Sequence, residues 1–298
     1  MSTTTIGVFD SGFGGLTVLR ALLNRMPRAH FAFIGDTARL PYGSKSQRTI
    51  ARYASQSARF LVNEQGAEFL VIACNTASAL ALDAIKEAVP VPVLGVIEPG
   101  AEAAHAASRT GDVLVIATDA TVQSHAYAAA CQVRGLRALE KACPLLVPLV
   151  EEGWTDTAGV TGVSAAQAAS APPQVAAAQA AQVAVTAEVI RIYLNELIAE
   201  AATLGMNPDT LVLGCTHYPL LRSLIERAVP RGMKVIDSAE SAAETAVHLF
   251  VPQDSKALPA APQSLHCFAT DSVEKFERLG SRFLGRPVGK VELVDLGG

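Results

Sequence analysis

Short, continuous apolar runs alternate with longer amphipathic segments along most of the chain. Runs of strand length occupy residues 6–9, 30–34, 69–73, 93–96, 113–117, 211–214 and 234–236. Segments of helical length occupy residues 16–26, 47–65, 76–89, 122–134, 188–204, 220–229 and 241–250. Continuous apolar strands that alternate with helices indicate parallel sheets covered on both faces. The sequence therefore predicts an α/β fold, with residues 265–269 and 291–294 as late edge strands.

The length of 298 residues predicts two domains of ordinary size. A crossover near Ile97-Glu98-Pro99 and a return near Asp237-Ser238 would make the second domain an insertion in the first. We therefore predict a first domain from residues 1–97 plus 239–298 and a second from residues 98–238. The expected arrangement is two pseudo-symmetric α/β domains with the active site in the cleft between them.

The overall charge excludes some classes of partner. The formal net charge is −4, and the sequence contains no basic cluster. A chain of this kind lacks the electrostatic footprint of a protein that binds nucleic acid or an anionic membrane surface. The N-terminus shows no secretory signal, and the odd number of cysteines, 5, is typical of reduced thiols. We therefore expect a cytoplasmic protein without disulfide bonds.

An uncharged stretch rich in alanine and glutamine runs over residues 157–187. It contains no Asp, Glu, Lys, Arg or His, but it mixes alanine with polar residues and includes Pro172-Pro173. A membrane span needs ~20 predominantly apolar residues, which this stretch does not provide. It is interpreted as an insertion at about residues 155–187, partly helical or mobile.

Two similar motifs each place a cysteine after an apolar strand. They are LVIACNTAS at residues 70–78 and LVLGCTHYP at residues 211–219. Ligands of open α/β sheets bind beyond the carboxyl ends of the strands, where helix N-termini favour anions and lower thiol pKa values. We therefore predict that Cys74 and Cys215 are reactive thiols facing one cleft. Cys131, Cys143 and Cys267 are interpreted as buried apolar residues.

Acid and base groups follow other strands or lie beside the second thiol. Asp10 ends the first strand and opens the DSGFGG loop, and His217 lies two residues after Cys215. The LVPLVEEG segment ends in Glu151 and Glu152, either of which could orient the histidine. Each thiol thus has a candidate partner for proton transfer. The turn at Tyr42-Gly43 is a further candidate for the site, because it places polar groups near a strand end.

A dinucleotide-binding site and a zinc site both match the residues less well than a site with two reactive thiols. The DSGFGG loop supplies Gly12 and Gly14, and Asp36 lies where a ribose-binding acid would be, but Thr17 occupies the third glycine position of a dinucleotide fingerprint. A zinc site from the two cysteines and His217 lacks the usual spacing of zinc ligands. We predict no metal.

The motifs DSGFGG, LPYGSK, ACNTAS and LGCTHYP, in this order, closely resemble those of the glutamate racemase family. LVPLVEEG and FATDSVEKF extend the resemblance over most of the chain. It implies an amino-acid racemase that interconverts L- and D-glutamate without pyridoxal phosphate, metal or nucleotide. It also implies a role in supplying D-glutamate for peptidoglycan in the bacterial cytoplasm. Glutamate is the expected partner, and a homodimer is left open.

The resemblance assigns roles to individual residues. Cys74 is implied to deprotonate D-glutamate with help from Asp10, and Cys215 to deprotonate L-glutamate with help from His217 and Glu151. Glu151 is chosen over Glu152 because the acid of family members directly follows the LVPLV-type run. Asp10 and His217 are also expected at the substrate. The binding residues implied are Ser11, Asn75, Thr76 and Thr216 for the α-carboxylate, Tyr42 and Gly43 for the side-chain carboxylate, and additionally Thr118 and Thr121.

Three alternatives stay open at this point. An aspartate or related racemase would share the two-thiol logic, although the histidine in LGCTHYP favours glutamate over aspartate. A nucleotide-binding regulator would depend on DSGFGG and Asp36. A non-enzymatic protein that kept the fold would not need an intact set of Asp10, Cys74, Cys215 and His217.

Overall fold

The structure is a computed structural model that describes residues 4–155, 173–250 and 264–297. Its strands are β1 Thr5–Asp10, β2 His30–Gly35, β3 Phe69–Ile72, β4 Val93–Gly95, β5 Asp112–Ala117, β6 Arg137–Ala142, β7 Thr210–Gly214, β8 Lys234–Asp237, β9 Ser264–Ala269 and β10 Val291–Leu293. Its helices are α1 Leu16–Arg25, α2 Gln47–Asn63, α3 Asn75–Leu80, α4 Leu82–Ala88, α5 Ile97–Ala107, α6 Asp119–Gln123, α7 Ala126–Val133, α8 Leu146–Glu151, α9 Pro173–Thr203, α10 Arg222–Ala228, α11 Ser238–Phe250 and α12 Val273–Leu284. Short 3₁₀ turns occupy Thr37–Arg39, Tyr42–Ser44 and Tyr218–Leu221.

The described strands form two parallel sheets that repeat one topology. The first has the order β10-β9-β2-β1-β3-β4, and the second has the order β6-β5-β7-β8. The four strands β2-β1-β3-β4 correspond one by one to β6-β5-β7-β8. Alternate residues of β1 contribute to different apolar clusters, with Ile6 and Val8 in one and Phe9 in another. The predicted α/β class with two similar parallel-sheet halves is confirmed.

The two late strands differ from the prediction. β10 lies at the edge of the first sheet, as expected, but β9 pairs with β2 on one side and β10 on the other. The prediction that both are edge strands is therefore wrong for β9. Helix α12 connects β9 to β10, and β10 pairs with the outer side of β9 at the edge of the sheet.

Strand β6 and helix α12 were not predicted. β6 has the sequence RALEKA, whose charged residues hide the strand pattern. Its position at the edge of the second sheet allows those charges to find partners: Arg137 bonds Asp112 at 2.8 Å, and Lys141 pairs with Glu196 at 2.9 Å. α12 buries Phe276, Leu279, Phe283 and Leu284, a helical spacing in a segment noted only for its resemblance.

Two predicted helices are each divided in the structure. The segment predicted at 76–89 breaks at Ala81 into α3 and α4, and it begins one residue earlier, at Asn75. The segment predicted at 122–134 breaks at His125, whose φ of 54° interrupts the helical backbone between α6 and α7. The short helices α3 and α6 that result from these breaks lie at the carboxyl ends of β3 and β5.

Helix α9 includes part of the alanine-rich stretch. Residues 156–172 of the predicted insertion lie outside the described residues, and the rest is helical. Among the described helices, Gln174–Thr203 has the length and hydropathy, 1.3, of a membrane span, with 11% of that window buried. One such helix is weak evidence for a span. Its later turns bury Ile190, Leu194 and Leu197 in the same apolar cluster as Leu213 of β7.

The chain passes between the two sheets twice. It leaves the first sheet after β4 into α5 and returns after β8 through α11, and these two helices pack on each other. The predicted boundaries, 1–97 plus 239–298 and 98–238, fall at the first residues of these helices. This assignment of domains stays a prediction.

Candidate active site

A cavity of about 280 Å³ lies at the carboxyl ends of strands from both sheets. β1 and β3 are neighbours in the first sheet, with Phe9 opposite Ile72, so the residues that follow them, Ser11 and Cys74, lie side by side. β5 and β7 are neighbours in the second sheet, with Ala117 opposite Gly214. This register brings Thr118 beside Cys215. Both thiols line the one cavity, from equivalent positions of the repeated topology.

Cys74 is buried, with 6% of its surface exposed, and caps the N-terminus of α3. Its sulfur accepts from the Ala77 N–H at 3.4 Å, and its thiol donates to Ser11 Oγ at 3.4 Å. Burial and the negative charge of Asp10 raise the thiol pKa to about 12 against these bonds. The Ala77 N–H at the helix N-terminus lowers this pKa, as predicted, but burial and the Asp10 carboxylate outweigh it, so the net shift of the Cys74 pKa is upward.

Asp10 supplies a buried carboxylate beside Cys74. Its Oδ2 accepts from the Gly12 N–H at 2.9 Å, whereas its buried Oδ1 has no hydrogen-bond partner of ordinary geometry among the residues that the structure describes. Burial raises the Asp10 pKa, while the Gly15 N–H and the charge of His217 oppose that rise. A carboxylate with a raised pKa is a stronger base for a neighbouring thiol. Gly15 has no room for a side chain, because a Cβ there would lie 2.4 Å from Asp10 Cβ.

Cys215, His217 and Glu151 form a chain of acid and base groups on the other side. Cys215 Sγ lies 3.9 Å from His217 Nδ1, and His217 Nε2 lies 3.3 Å from Glu151 Oε1. Burial lowers the His217 pKa, but the bonds to Cys215 and Glu151 raise it to about 10. Burial likewise raises the Glu151 pKa, and the His217 bond lowers it overall. These contacts favour the protonated form of His217 and the ionised form of Glu151.

Hydrogen-bond donors surround the space between the thiols. Asn75 Oδ1 accepts from the Tyr127 hydroxyl at 2.7 Å, and the Asn75 Nδ2 group is buried without a partner in the described residues. Thr76 Oγ1 lies 3.1 Å from Thr118 Oγ1 and 3.3 Å from Thr121 Oγ1. Thr216 Oγ1 lies 3.4 Å from His217 Nδ1. Hydroxyl and amide groups in such numbers are suited to an anionic ligand.

The Tyr42 hydroxyl is bound by Asp36, which does not line the cavity. The Tyr42 hydroxyl donates to Asp36 Oδ2 at 2.6 Å, and burial together with Asp36 raises the Tyr42 pKa above its usual value. Thr270 Oγ1 donates to the other Asp36 oxygen at 2.9 Å. Asp36 is fully buried by these contacts and therefore anchors the loop of Tyr42 and Gly43. This position does not fit a ribose-binding acid, so the nucleotide-binding alternative loses its main residue.

The structure brings the predicted site residues together. Those that line the cavity are Asp10, Ser11, Tyr42, Gly43, Cys74, Asn75, Thr76, Thr118, Glu151, Cys215, Thr216 and His217. Thr121 lies behind them, and Glu152 does not line the cavity. Their catalytic and binding roles stay predictions. Cys131, Cys143 and Cys267 are buried, as expected.

Sequence reasoning missed several residues of the site. Further cavity-lining residues are Gly12, Phe13, Leu40, Pro41, Ser44, Asp119, Pro144, Val147 and Pro148. Pro144 precedes α8, and Val147 and Pro148 lie in its first turn. Only their proximity in sequence to Glu151 could have indicated these three residues. Within residues 4–155, 173–250 and 264–297, no group of three His, Cys, Asp or Glu residues could hold a metal ion.

The fold and the cavity together define an amino-acid racemase, an isomerase built from two facing α/β halves. Residues 6–190 match the family model described as Asp/Glu/Hydantoin racemase, and the chain belongs to this family. The match begins in β1 and extends into α9, so it includes the first thiol, Asp10 and Glu151.

Relatives along the full length are named glutamate racemases. The relative from Koribacter versatilis is 48% identical over 98% of this chain and 98% of its own length. The relative from Geobacter metallireducens is 41% identical over 99% of this chain and 98% of its own length. The solved glutamate racemase of Francisella tularensis in complex with D-glutamate is similar, with a TM-score of 0.79, 30% identity and 99% coverage of both chains. The aspartate racemase of Picrophilus torridus shares 16% identity and a TM-score of 0.52, over 82% of this chain and 93% of its own, which shows likeness of fold alone.

Proposed function

We propose that this chain interconverts L- and D-glutamate by a cofactor-independent mechanism with two thiol bases. The observation that carries the proposal is the single cavity lined by Cys74 and Cys215, each with its own acid–base partner. Relatives named glutamate racemases that match over the full length support the substrate. In a bacterium, the product D-glutamate would be used for peptidoglycan synthesis in the cytoplasm.

Racemisation needs proton transfer on both faces of one carbon. The α-proton leaves one face of the tetrahedral carbon, and a different proton is delivered to the other face. With the substrate held in place, one base cannot serve both faces, whereas thiols from two facing domains can. Cys215 would remove the α-proton of L-glutamate while Cys74 donates a proton to the opposite face. For D-glutamate the two thiols exchange roles, so the pair shares one proton between its two states.

The charged groups around each thiol favour these roles, with Cys215 as the base and Cys74 as the acid for L-glutamate. The raised pKa of Cys74, about 12, keeps its thiol protonated and ready to donate. Protonated His217, held by Glu151, stabilises negative charge on the Cys215 sulfur. In the reverse direction Asp10 would accept the Cys74 proton, and the substrate ammonium would stabilise the thiolate. The arrangement thus supplies a base and an acid in either direction.

The hard step is removal of an α-proton far less acidic than a thiol. Without an electron sink, the negative charge that develops on the α-carbon must be stabilised through the α-carboxylate. Asn75 Nδ2, Ser11, Thr76 and Thr216 would bind that carboxylate, and the main chain of Tyr42 and Gly43 would bind the side-chain carboxylate. One preorganised donor of this kind contributes ~3 kcal/mol to the transition state. A buried cavity strengthens each such bond by excluding water.

The direct test follows the α-proton in D₂O. Purified protein is incubated with L-glutamate, chelator and no added cofactor, with NMR for loss of the α-proton and chiral chromatography for the D-enantiomer. We expect deuterium in the D-glutamate formed, with little in the L-glutamate recovered early, because each base serves one face. Neither exchange nor D-glutamate from folded, reduced protein would refute the proposal. L-aspartate in a parallel sample tests the alternative substrate.

The cellular location and the oligomeric state stay predictions. A cytoplasmic enzyme should fractionate with soluble protein when the full chain is expressed at native level. A homodimer should sediment at twice the monomer mass of 31.1 kDa.

A further inference from the structure

Two adjacent residues of α12 contact the acid–base chain of the opposite half of the molecule. α12 lies between β9 and β10, which belong to the first sheet. Cys215, His217 and Glu151 lie on elements that connect the strands of the second sheet. Neither Arg282 nor Phe283 belongs to the cavity lining, so the proposed chemistry leaves their contacts unexplained.

Arg282 binds the C-terminal end of α8. Its Nη1 donates to the carbonyl oxygens of Val150 at 3.3 Å and Glu151 at 3.4 Å. The Val150 carbonyl also accepts from the Gly153 N–H at 3.0 Å, so Arg282 adds to the bonds that close this turn. A cation at the C-terminal end of a helix also interacts favourably with the helix dipole. Since Glu151 is the last residue of α8, the guanidinium fixes the backbone from which the Glu151 carboxylate reaches His217.

Gly153 provides the space for that guanidinium. Its φ of 82° lies in the left-handed region, which favours glycine. A Cβ at this position would lie 2.8 Å from Arg282 Nη1 and 3.0 Å from Nη2. The turn after α8 is therefore shaped around the Arg282 side chain.

Phe283 holds the imidazole of His217 from the side. The two ring centroids are 4.9 Å apart and the ring planes meet at 77°, an edge-to-face arrangement. Phe283 is fully buried, so its ring has little freedom to move. One helix of the first half thus restrains both members of the His217–Glu151 pair.

We propose that Arg282 and Phe283 are positioning residues for proton transfer at Cys215, acting through Glu151 and His217. This inference rests on the proposed function. The first half of the molecule thereby sets the geometry of the base that the second half carries. A shift of α12 relative to α8 would lengthen the His217–Glu151 contact and disorganise the Cys215 side, while Cys74 keeps its own contacts with Ser11 and Ala77.

Several charged groups act on His217, and a test must distinguish the effect of Arg282 from theirs. Cys215 and Glu151 raise its pKa, Asp10 interacts with its charge, and Lys275 acts on Glu151. Loss of the Arg282 contacts should weaken the Glu151 contribution and lower the His217 pKa from about 10. A residue that only stabilised the fold would leave that pKa unchanged.

The test compares the Arg282→Met and Phe283→Leu variants with the unmodified full chain. Arg278→Met serves as the matched control, because Arg278 is an exposed arginine on the same helix. Rates of glutamate racemisation give kcat and KM, and NMR of histidine-labelled protein gives the His217 pKa, with its signal assigned from His217→Gln. We expect kcat to fall roughly tenfold in Arg282→Met, the scale of one charged hydrogen bond, with KM nearly unchanged.

Arg282→Lys should recover much of the loss, because a single nitrogen makes both carbonyl contacts. The His217 pKa should fall in Arg282→Met and in Phe283→Leu, but not in Arg278→Met. Unchanged kcat and His217 pKa in both test variants would overturn the inference, as would equal effects in the control.

If Arg282→Met fails to fold, Phe283→Leu carries the same comparison against Arg278→Met. If the unmodified chain does not racemise glutamate, the proposed function fails. The NMR titration then still tests the positioning by Arg282 and Phe283.

Discussion

The Tyr127 hydroxyl donates to Asn75 Oδ1 at 2.7 Å, and this hydrogen bond joins the two halves of the molecule beside the cavity. Tyr127 lies on α7 among the elements of the second sheet, and Asn75 opens α3 after β3 of the first. An amide whose oxygen accepts this bond must present its NH₂ group elsewhere. The buried Nδ2 of Asn75 is therefore available to a ligand in the cavity.

Tyr127→Phe should lower kcat/KM for glutamate, because the Asn75 amide loses the partner that fixes its orientation. A neutral hydrogen bond contributes about 1 kcal/mol, so the expected loss is roughly fivefold. Steady-state kinetics with either enantiomer measure it. Tyr193→Phe is the matched control, since the Tyr193 hydroxyl accepts from the exposed Leu145 N–H at 3.4 Å and Tyr193 does not line the cavity. An equal loss in both variants would contradict this role for Tyr127.

Cys74→Ser and Cys215→Ser should each lower kcat/KM by at least about a thousandfold, the scale of a lost general base with its partner. The two enantiomers have equal free energy in water, so kcat/KM must stay equal in the two directions in every variant. A difference between the thiols must therefore be sought in α-proton exchange. Cys215→Ser should suppress exchange from L-glutamate more than from D-glutamate, and Cys74→Ser should do the reverse.

Cys131→Ala is the control for these substitutions, because Cys131 is buried away from the cavity. It should keep most of the activity. Full activity in Cys74→Ser or Cys215→Ser would rule out the two-thiol mechanism, whatever the control shows.

The stability of the protein should fall as pH rises from 6.5 to 8.5. His217 has a pKa of about 10 in the folded protein against an ordinary value of 6.5, so the folded state binds more protons between these values. The His217 contribution is complete below pH 6.5 and is lost as pH rises through about 10. At ~1.4 kcal/mol per pH unit for one proton, the free energy of unfolding should fall by about 2 kcal/mol over the window.

Urea unfolding at several pH values measures that slope, and His217→Gln is the comparison. The Cys74 thiol, whose pKa is raised from 9.0 to about 12, also stabilises the folded state. Its contribution is lost only as the pH rises from 9.0 to about 12, which is above this window. The variant should show a flatter dependence than the unmodified chain. Parallel slopes would mean that His217 does not retain its proton in the folded protein.

Gly14→Ala should abolish most activity because the two halves meet at this residue. A Cβ there would lie 2.1 Å from Thr216 Oγ1 and 2.6 Å from His217 Nδ1, so the second thiol segment would have to move. Thr17 Oγ1 also donates to the Thr216 carbonyl at 3.0 Å and would lose that contact. Racemisation kinetics and circular dichroism together separate lost activity from lost fold.

The matched comparison is Gly12→Ala in the same loop, where the nearest atom to a Cβ is the end of the Leu40 side chain at 3.3 Å. That side chain can move, so we expect a smaller loss. If Gly12→Ala proves as damaging as Gly14→Ala, close packing against His217 is not the reason for the glycine.

The sequence by itself determined the α/β class, the two thiol motifs and the neighbours of the catalytic candidates. These follow from local patterns: apolar runs set the strands, and a residue after a parallel strand must lie at the ligand-binding edge. The local pattern left Glu151 and Glu152 open, and the choice of Glu151 came from the family resemblance. The structure agrees, because Glu151 is the acid that contacts His217.

Only the tertiary structure decided the features that depend on long-range packing. Charged β6 forms a strand because an edge position lets Arg137 and Lys141 reach partners distant in sequence. The Cys74 pKa is raised because the surrounding fold buries the thiol beside Asp10, against the helix N-terminus that the sequence shows. The contacts of Arg282 and Phe283 with the Cys215 side exist because α12 packs across the two halves. No local pattern encodes that packing, since it follows from how the two sheets face each other.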